Sequence, residues 1–211
     1  MFHLVTSYYQ SNHPERQREL DDCLVRNIAN PHIQTIHLLN DQIHPLPFCP
    51  DQSKIVQSVV DNENKWRLGF DCAIRYINEH LPHQHFILSN SDIYFDETLE
   101  LLQHCDLTRT VLGLSRYDNG HLFARGDSQD CWIGVAPLNV DTTICGFKFG
   151  VLGCDNRFAK IIHDAGYHIY NPSRTIHTHH QHGSQYRTYH DIPTVEGMHK
   201  LLEPCELYPS S

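Results

Sequence analysis

Phe86-Ile87-Leu88-Ser89-Asn90-Ser91-Asp92-Ile93-Tyr94-Phe95-Asp96 is the stretch that decides the fold. Its apolar start reads as a buried strand, which runs out into the polar tip Asn90-Ser91-Asp92. Alternate side chains of an extended chain share a face, so Asn90 and Asp92 point the same way. An amide and a carboxylate side by side at the carboxyl end of a parallel-type strand suit a hard metal ion and a phosphate. The competing reading is a strand end with a polar turn, Asp92 capping a helix near Thr98. Position after an apolar strand in an alternating chain favours the ligand site.

Upstream of that stretch the pattern alternates. Phe2 to Val5 reads as a strand and Thr6 to Tyr9 as a loop. A helix then opens near Pro14 with Asn12 as candidate cap, carries Leu20, Cys23, Leu24 and Ile28 at helical spacing, and ends at Asn30-Pro31. Ile33 to Leu39 is a second strand, ending at Asn40-Asp41, and Ile55 to Val60 a short third. Trp66, Phe70, Ala73, Ile74 and Ile77 make one face of a helix, with Arg67, Asp71 and Arg75 on another. Strand and helix in alternation predict an α/β sheet covered on both faces.

Downstream the rhythm changes. Thr98 to His104 reads as a helix. Val111 to Tyr117, Asp130 to Val135 and Phe147 to Val151 read as strands with no long helices between them. Phe158, Ile161, Ile162 and Ala165 form one face of a last helix ended by Gly166, and His168 to Asn171 a last strand. The chain divides into one domain, 1–192, and a tail, 193–211, without clear chemistry.

Composition sets outer limits. The 211 residues suit a single domain able to bury roughly 70% of its unfolded surface. A formal net charge of −9 and the absence of a Lys/Arg-rich run argue against binding to nucleic acid backbone. No apolar run approaches the roughly 20 residues of a membrane helix, and residues 1 to 12 do not have the form of a signal peptide. The eight cysteines form no C-x-x-C pair and read as reduced thiols of a cytoplasmic protein.

Two later clusters join Asn90 and Asp92. Gly153-Cys154-Asp155-Asn156 precedes the amphipathic helix, where Asp155 is either a cap or a general base within reach of an acceptor hydroxyl. His177, His179, His180 and His182 are the densest polar feature. In extended backbone His177 and His179 share one face and His180 and His182 the other, so either pair is a candidate to place imidazole on a metal; a His-rich surface loop is the alternative. Asp130 is a substrate contact or a turn residue. Arg67 and Arg187 are candidate phosphate partners, since the guanidinium fork matches phosphate oxygens. Walker, Rossmann G-x-G-x-x-G and G-x-S-x-G motifs are absent.

In this order the motifs resemble a glycosyltransferase of the GT-A fold, the class that includes the large family 2 transferases, over roughly residues 2 to 190. Leu4 to Tyr9 resembles the first strand and nucleotide loop, and Asn90-Ser91-Asp92 the D-x-D metal motif, with Asn90 in place of its first carboxylate. Gly153 to Asn156 resembles the later acidic motif that supplies the base in inverting members. His177 to His182, followed by Gly-Ser-Gln-Tyr-Arg187, resembles the C-terminal histidine region that completes a metal shell.

The resemblance implies a Rossmann-like GT-A domain with a mixed, mostly parallel sheet and helices on both faces. It implies transfer of a sugar, hexosyltransferase fashion, from a nucleotide-diphospho-sugar donor to a hydroxyl acceptor, with inversion. Asp92 would hold Mn²⁺ or Mg²⁺ with His180 or His182, Asp155 would be the base, and Thr6, Tyr8, Asp41, Arg67, Asn90 and Asp130 would frame the donor. The rivals are a metal-dependent nucleotidyltransferase or phosphohydrolase, and a metal- or sugar-binding module without turnover.

Overall fold

The computed structural model describes residues 1–49, 51–60, 67–184 and 193–208. Trp66 and Arg187 lie outside them. The chain opens with β1 (Phe2–Thr6), α1 (Pro14–Ala29), β2 (Ile33–Asn40), β3 (Ile55–Val59), α2 (Phe70–His80), β4 (His85–Ser89) and β5 (Ile93–Phe95). A 3₁₀ segment (Glu97–His104) follows, then β6 (Thr110–Leu114), β7 (Tyr117–Asp118), β8 (His121–Leu122) and β9 (Cys131–Val135). After a short 3₁₀ turn (Thr142–Ile144) come α3 (Cys154–Asp164), β10 (His168–Tyr170) and β11 (Thr178–His180).

Seven strands form one sheet in the order β10-β6-β9-β4-β1-β2-β3. Only β9 runs against its neighbours; every other pairing in this sheet is parallel. Strand alternation distributes the core to two faces. Val5, Phe86, Leu88 and Trp132 pack with α2 and α3 on one side. Phe2, Leu4, Ile87 and Ile133 pack with Leu20 and Leu24 of α1 and Leu99 and Leu102 of the 3₁₀ segment on the other. The expected α/β sheet with helices on both faces is therefore present.

The topology creates a crevice. From β1 the chain moves through α1 to β2 and β3 on one side, then returns through α2 to β4 on the other side of β1. In open α/β sheets ligands bind at the carboxyl ends of the strands flanking such a reversal. Asn90 follows β4 at that edge, and Thr6 ends β1 there.

Three local expectations are corrected. Phe147–Val151 is not a strand. The Phe147 and Cys145 carbonyls instead accept the Phe70 and Asp71 N–H groups at 3.1 Å each, satisfying the first turn of α2. Phe149 stacks on Phe70 with ring centroids 3.9 Å apart. Val111–Tyr117 is broken after Leu114, where Ser115 N donates to Ser173 Oγ at 2.8 Å. Asn12 does not cap α1: the N-cap residue is His13, although Pro14 does occupy the first turn.

A second sheet, in the order β5-β11-β7-β8, sits beside the crevice. Its hairpin turns at Asn119 (φ 50°) and Gly120 (φ 80°), where the left-handed backbone suits the Asn-Gly pair. Residues 193–208 run back over the domain. Leu202 is buried, its N–H donating to Gly126 O at 2.8 Å, and Cys205 N donates to Asn171 O at 2.8 Å. None of the eight cysteines forms a disulfide, and no described helix is long and apolar enough to cross a membrane.

Candidate active site at the end of the central strands

The crevice is a small cleft lined by Thr6, Ser7, Tyr8, Asn27, Asn90 and Ser91 among others. Thr6 Oγ1 donates to the Ser89 carbonyl at 2.9 Å, fastening β1 to β4 at its rim. Tyr8 N donates to Asn40 Oδ1 at 2.8 Å. The Tyr8 hydroxyl donates to Asp21 and accepts from Gln17, at 2.7 Å each, and the buried ring packs against His44 and Phe48, so the side chain has no polar group left for a ligand. Asp41 lies just past the end of β2, half exposed, 3.5 Å from His44 Nε2.

α1 fixes the next segment. Asn27 Nδ2 donates to Ile93 O at 2.9 Å and Asn27 Oδ1 accepts from Phe95 N at 3.2 Å, while Asn30 Nδ2 donates to Phe95 O at 3.0 Å. These amides bind the backbone of β5 and so set the position of Asp92. β11 then pairs with β5, His180 opposite Ile93, and Gln181 N donates to Asp92 O at 2.9 Å.

The result is a compact cluster. Asp92 Oδ2 lies 3.3 Å from His180 Nε2 and 3.5 Å from His182 Nδ1. The histidine faces alternate as extended backbone requires: His180 and His182 meet Asp92, whereas His177 and His179 meet Asp96. Asp92 caps no helix; that role belongs to Asp96, which accepts from Thr98 N.

Arg16 completes the cluster from α1. Its Nη2 donates to Asp92 Oδ2 at 2.6 Å, and its Nη1 lies 2.9 Å from His182 Nδ1 and 3.1 Å from Glu19 Oε2. Glu19 in turn accepts from Ser184 N and Oγ, at 2.6 and 2.9 Å, holding the segment after His182. Neither Arg16 nor Glu19 belongs to the expected set. The signal was available: both lie on the buried side of α1 with Leu20, Cys23, Leu24 and Asn27, where an unpaired charge would be costly.

Burial by itself would push the Asp92 carboxyl up. Hydrogen bonds from His180 and His182, and the charges of His180 and Arg16, outweigh it and hold the group well below the ordinary carboxylate range. Burial opposes the charge on His180, but the hydrogen bond and charge of Asp92, with Asp130 and Asp118, raise its pKa.

Polar contacts continue from His180. Its Nδ1 is 2.7 Å from Asp118 Oδ1, and Arg116 bridges Asp118 and Asp130 at 3.0 and 3.1 Å. Asn90 Nδ2 donates to Asp130 Oδ1 at 3.0 Å. Asn90 thus turns toward Asp130, and in the described contacts Asp92 alone of the pair faces the histidines. Arg67 is spent differently, donating to Phe149 O at 2.8 Å.

Asp155 stands in the first turn of α3, whose N-cap is Gly153 with φ 82°. A capping role for Asp155 is therefore excluded. Burial and the nearby Asp130 carboxylate push the Asp155 carboxyl up to about 7, against the Cys154 thiol, the Gln129 backbone and the Arg116 charge. The ordinary effect of a helix N-terminus is downward; here burial and the second carboxylate win. Asn90, Asp130 and Asp155 thereby form one neighbourhood, linked through Asp130, Arg116 and Asp118 to the Asp92 cluster.

A carboxylate oxygen with two imidazole nitrogens suits a divalent cation. His182 Nδ1, the ring nitrogen facing Asp92, also meets Arg16 Nη1 at 2.9 Å, while the buried His182 Nε2 has no hydrogen-bond partner among the described residues. The donor set fits, with the Arg16 guanidinium sharing Asp92 Oδ2.

No family model and no curated protein matches this sequence. Among solved structures, the fold is similar to the mannosyltransferase PcManGT of Pyrobaculum calidifontis, determined with GDP-Man and Mn²⁺. The TM-score is 0.50 and the identity 9%, over 81% of this chain and 54% of that one, so the match spans about half of the mannosyltransferase. The 2-C-methyl-D-erythritol 4-phosphate cytidylyltransferase (IspD) of Francisella tularensis gives a TM-score of 0.46 at 12% identity, over 81% of this chain and 89% of that one. At such identities the likeness speaks of fold alone. The seven-stranded, mostly parallel sheet with helices on both faces is a GT-A-type, Rossmann-like fold.

Proposed function

We propose that this chain is a glycosyltransferase that moves a sugar from a nucleotide-diphospho-sugar donor to a hydroxyl acceptor, with inversion. The observation that carries the reading is the convergence, at the carboxyl ends of β1 and β4, of a cleft, a carboxylate–imidazole cluster and a carboxyl raised to about 7.

The strand ends around Thr6, Tyr8 and Ser91 receive the nucleotide, with Asp41 just beyond the end of β2. Asp92, His180 and His182 would hold a divalent ion, Mn²⁺ suiting the imidazoles better than Mg²⁺, which when bound offsets the charge that grows on the diphosphate. Arg16 adds a fixed positive charge at the same carboxylate. Asn90 and Asp130 present an amide and a carboxylate to sugar hydroxyls. Asp155 takes the proton of the acceptor hydroxyl as that oxygen attacks the anomeric carbon. A base whose pKa lies near the working pH is well matched to this task.

The test is product analysis. The full chain is incubated with individual nucleotide sugars and Mn²⁺, and released nucleoside diphosphate is measured. Release that is faster with an acceptor, and lost in Asp155→Asn, supports sugar transfer. Pyrophosphate from a nucleoside triphosphate would assign the site to nucleotidyl transfer instead, and phosphate release to a phosphohydrolase. Donor binding with no turnover would leave a binding module.

A further inference from the structure

β11 presents a second metal-ligating trio on its opposite face, one the proposed transfer does not use. Asp96 Oδ2 lies 2.8 Å from His179 Nε2 and 3.3 Å from His177 Nδ1. The three candidate ligand atoms are all within 4.8 Å of one another. We propose that Asp96, His177 and His179 form a second divalent-metal site, of the two-histidine, one-carboxylate kind, for a nitrogen-preferring ion of the Zn²⁺ class.

The surroundings hold these groups in place. Asp96 Oδ1 is occupied by Thr98, accepting from its N–H at 2.9 Å and its hydroxyl at 2.6 Å, which leaves Oδ2 facing the rings. Thr98 Oγ1 also accepts from His177 N at 2.9 Å, tying the backbone of one ligand to the partner of another. His179 is stacked on Tyr94, with centroids 4.9 Å apart and planes at 15°, and pairs with it across the β5–β11 ladder. Tyr117 packs against His177 at 4.7 Å. Partners that fix ligand orientation in this way are the usual support of a metal shell.

The choice of ion follows from the donors. Two imidazoles and one carboxylate oxygen favour Zn²⁺, Fe²⁺ or Co²⁺ over Mg²⁺ or Ca²⁺, which take mostly oxygen. Side-chain exposures of 33% for His177, 23% for His179 and 20% for Asp96 let an ion enter and leave a fourth position to water. A bound ion would fasten β11 to the junction of β5 and the 3₁₀ segment. Since His180 projects from the other face of the same strand, the second site would steady the first without sharing a ligand.

The experiment counts metal with the first cluster disabled. Full-length His180→Gln/His182→Gln protein is dialysed against Zn²⁺, its bound metal counted, and its Co²⁺ absorption spectrum recorded. One equivalent should remain, with Co²⁺ ligand-field bands. Adding Asp96→Asn, which keeps a good helix cap, should remove that equivalent and the bands, and adding His177→Gln should do the same. Circular dichroism establishes that each protein is folded. A folded double variant that binds no Zn²⁺, or an equivalent that survives both additional changes, overturns the proposal. Because the count is made without donor sugar, failure of sugar transfer leaves it unaffected.

Discussion

Arg16 reaches Asp92 at 2.6 Å through the same carboxylate oxygen that faces His180 and His182. Both side chains are almost excluded from solvent, at 8% and 12% exposure, so each charge offsets the cost of burying the other. A divalent ion seated between Asp92 Oδ2, His180 and His182 shares that oxygen with a guanidinium. The chain thus carries an internal cation at the point where the D-x-D resemblance expects an external one.

Arg16→Met separates the two cations. Removing one partner of a buried pair leaves the other uncompensated, typically at a cost of about 3–5 kcal/mol. In chelator, Arg16→Met should lose stability on that scale in urea denaturation. Mn²⁺ should then stabilise the variant more than the parent, because the ion no longer competes with the guanidinium. Equal response of the two proteins to Mn²⁺ would mean that Arg16 and the ion do not share Asp92.

Asn90→Asp restores the spelling of the resembled motif but works against the observed contacts. The Asn90 amide donates to Asp130 Oδ1 at 3.0 Å; an ionised carboxylate cannot. The substitution would set like charges against each other beside Asp155. Loss of the hydrogen bond should cost about 1–3 kcal/mol at pH 8. At pH 5 the cost should be smaller, since neighbouring carboxylates share a proton more readily there. Urea melts at both pH values check this. Unchanged stability at both, together with tighter Mn²⁺ binding, would show that the amide is dispensable.

What could be read from the sequence was what depends on local periodicity. β1, β2 and β4, the apolar faces of α1, α2 and α3, and the alternating histidines all follow from side-chain direction in helix and strand. The partners of those histidines did not. Asp118 reaches His180 through a hairpin whose signal, Asn119-Gly120, is plain in the sequence but says nothing of the strand beside which it lies. Arg16 is 76 positions from Asp92, a pairing that only the packing of α1 against β5 creates. Phe147 to Val151 misled because apolar residues suit a strand and a helix-capping segment equally; the deciding factor was the free N–H groups at the start of α2.

Asp155 gives the sharpest pH test. Its carboxyl, pushed up to about 7 by burial and Asp130, is ionised only above that pH. If it is the base, kcat/KM should climb as pH rises through about 7 and level off above it. Asp155→Asn should lower turnover by about 10²–10⁴-fold while donor affinity is retained. The same group predicts a stability trend of definite sign. Its folded pKa, about 7, lies above the ordinary aspartate value of 3.8. Between those values the folded chain holds a proton that the unfolded chain has released, so this group's contribution to stability is full below the window and is lost as pH rises across it. Asp155→Asn should remove that part of the slope in denaturation measurements between pH 4 and 7, flanking the two values just given. A variant with the parent's slope but no turnover would keep Asp155 in the chemistry and deny its raised pKa. A variant with normal turnover would place the base elsewhere, or make the transfer a retaining one.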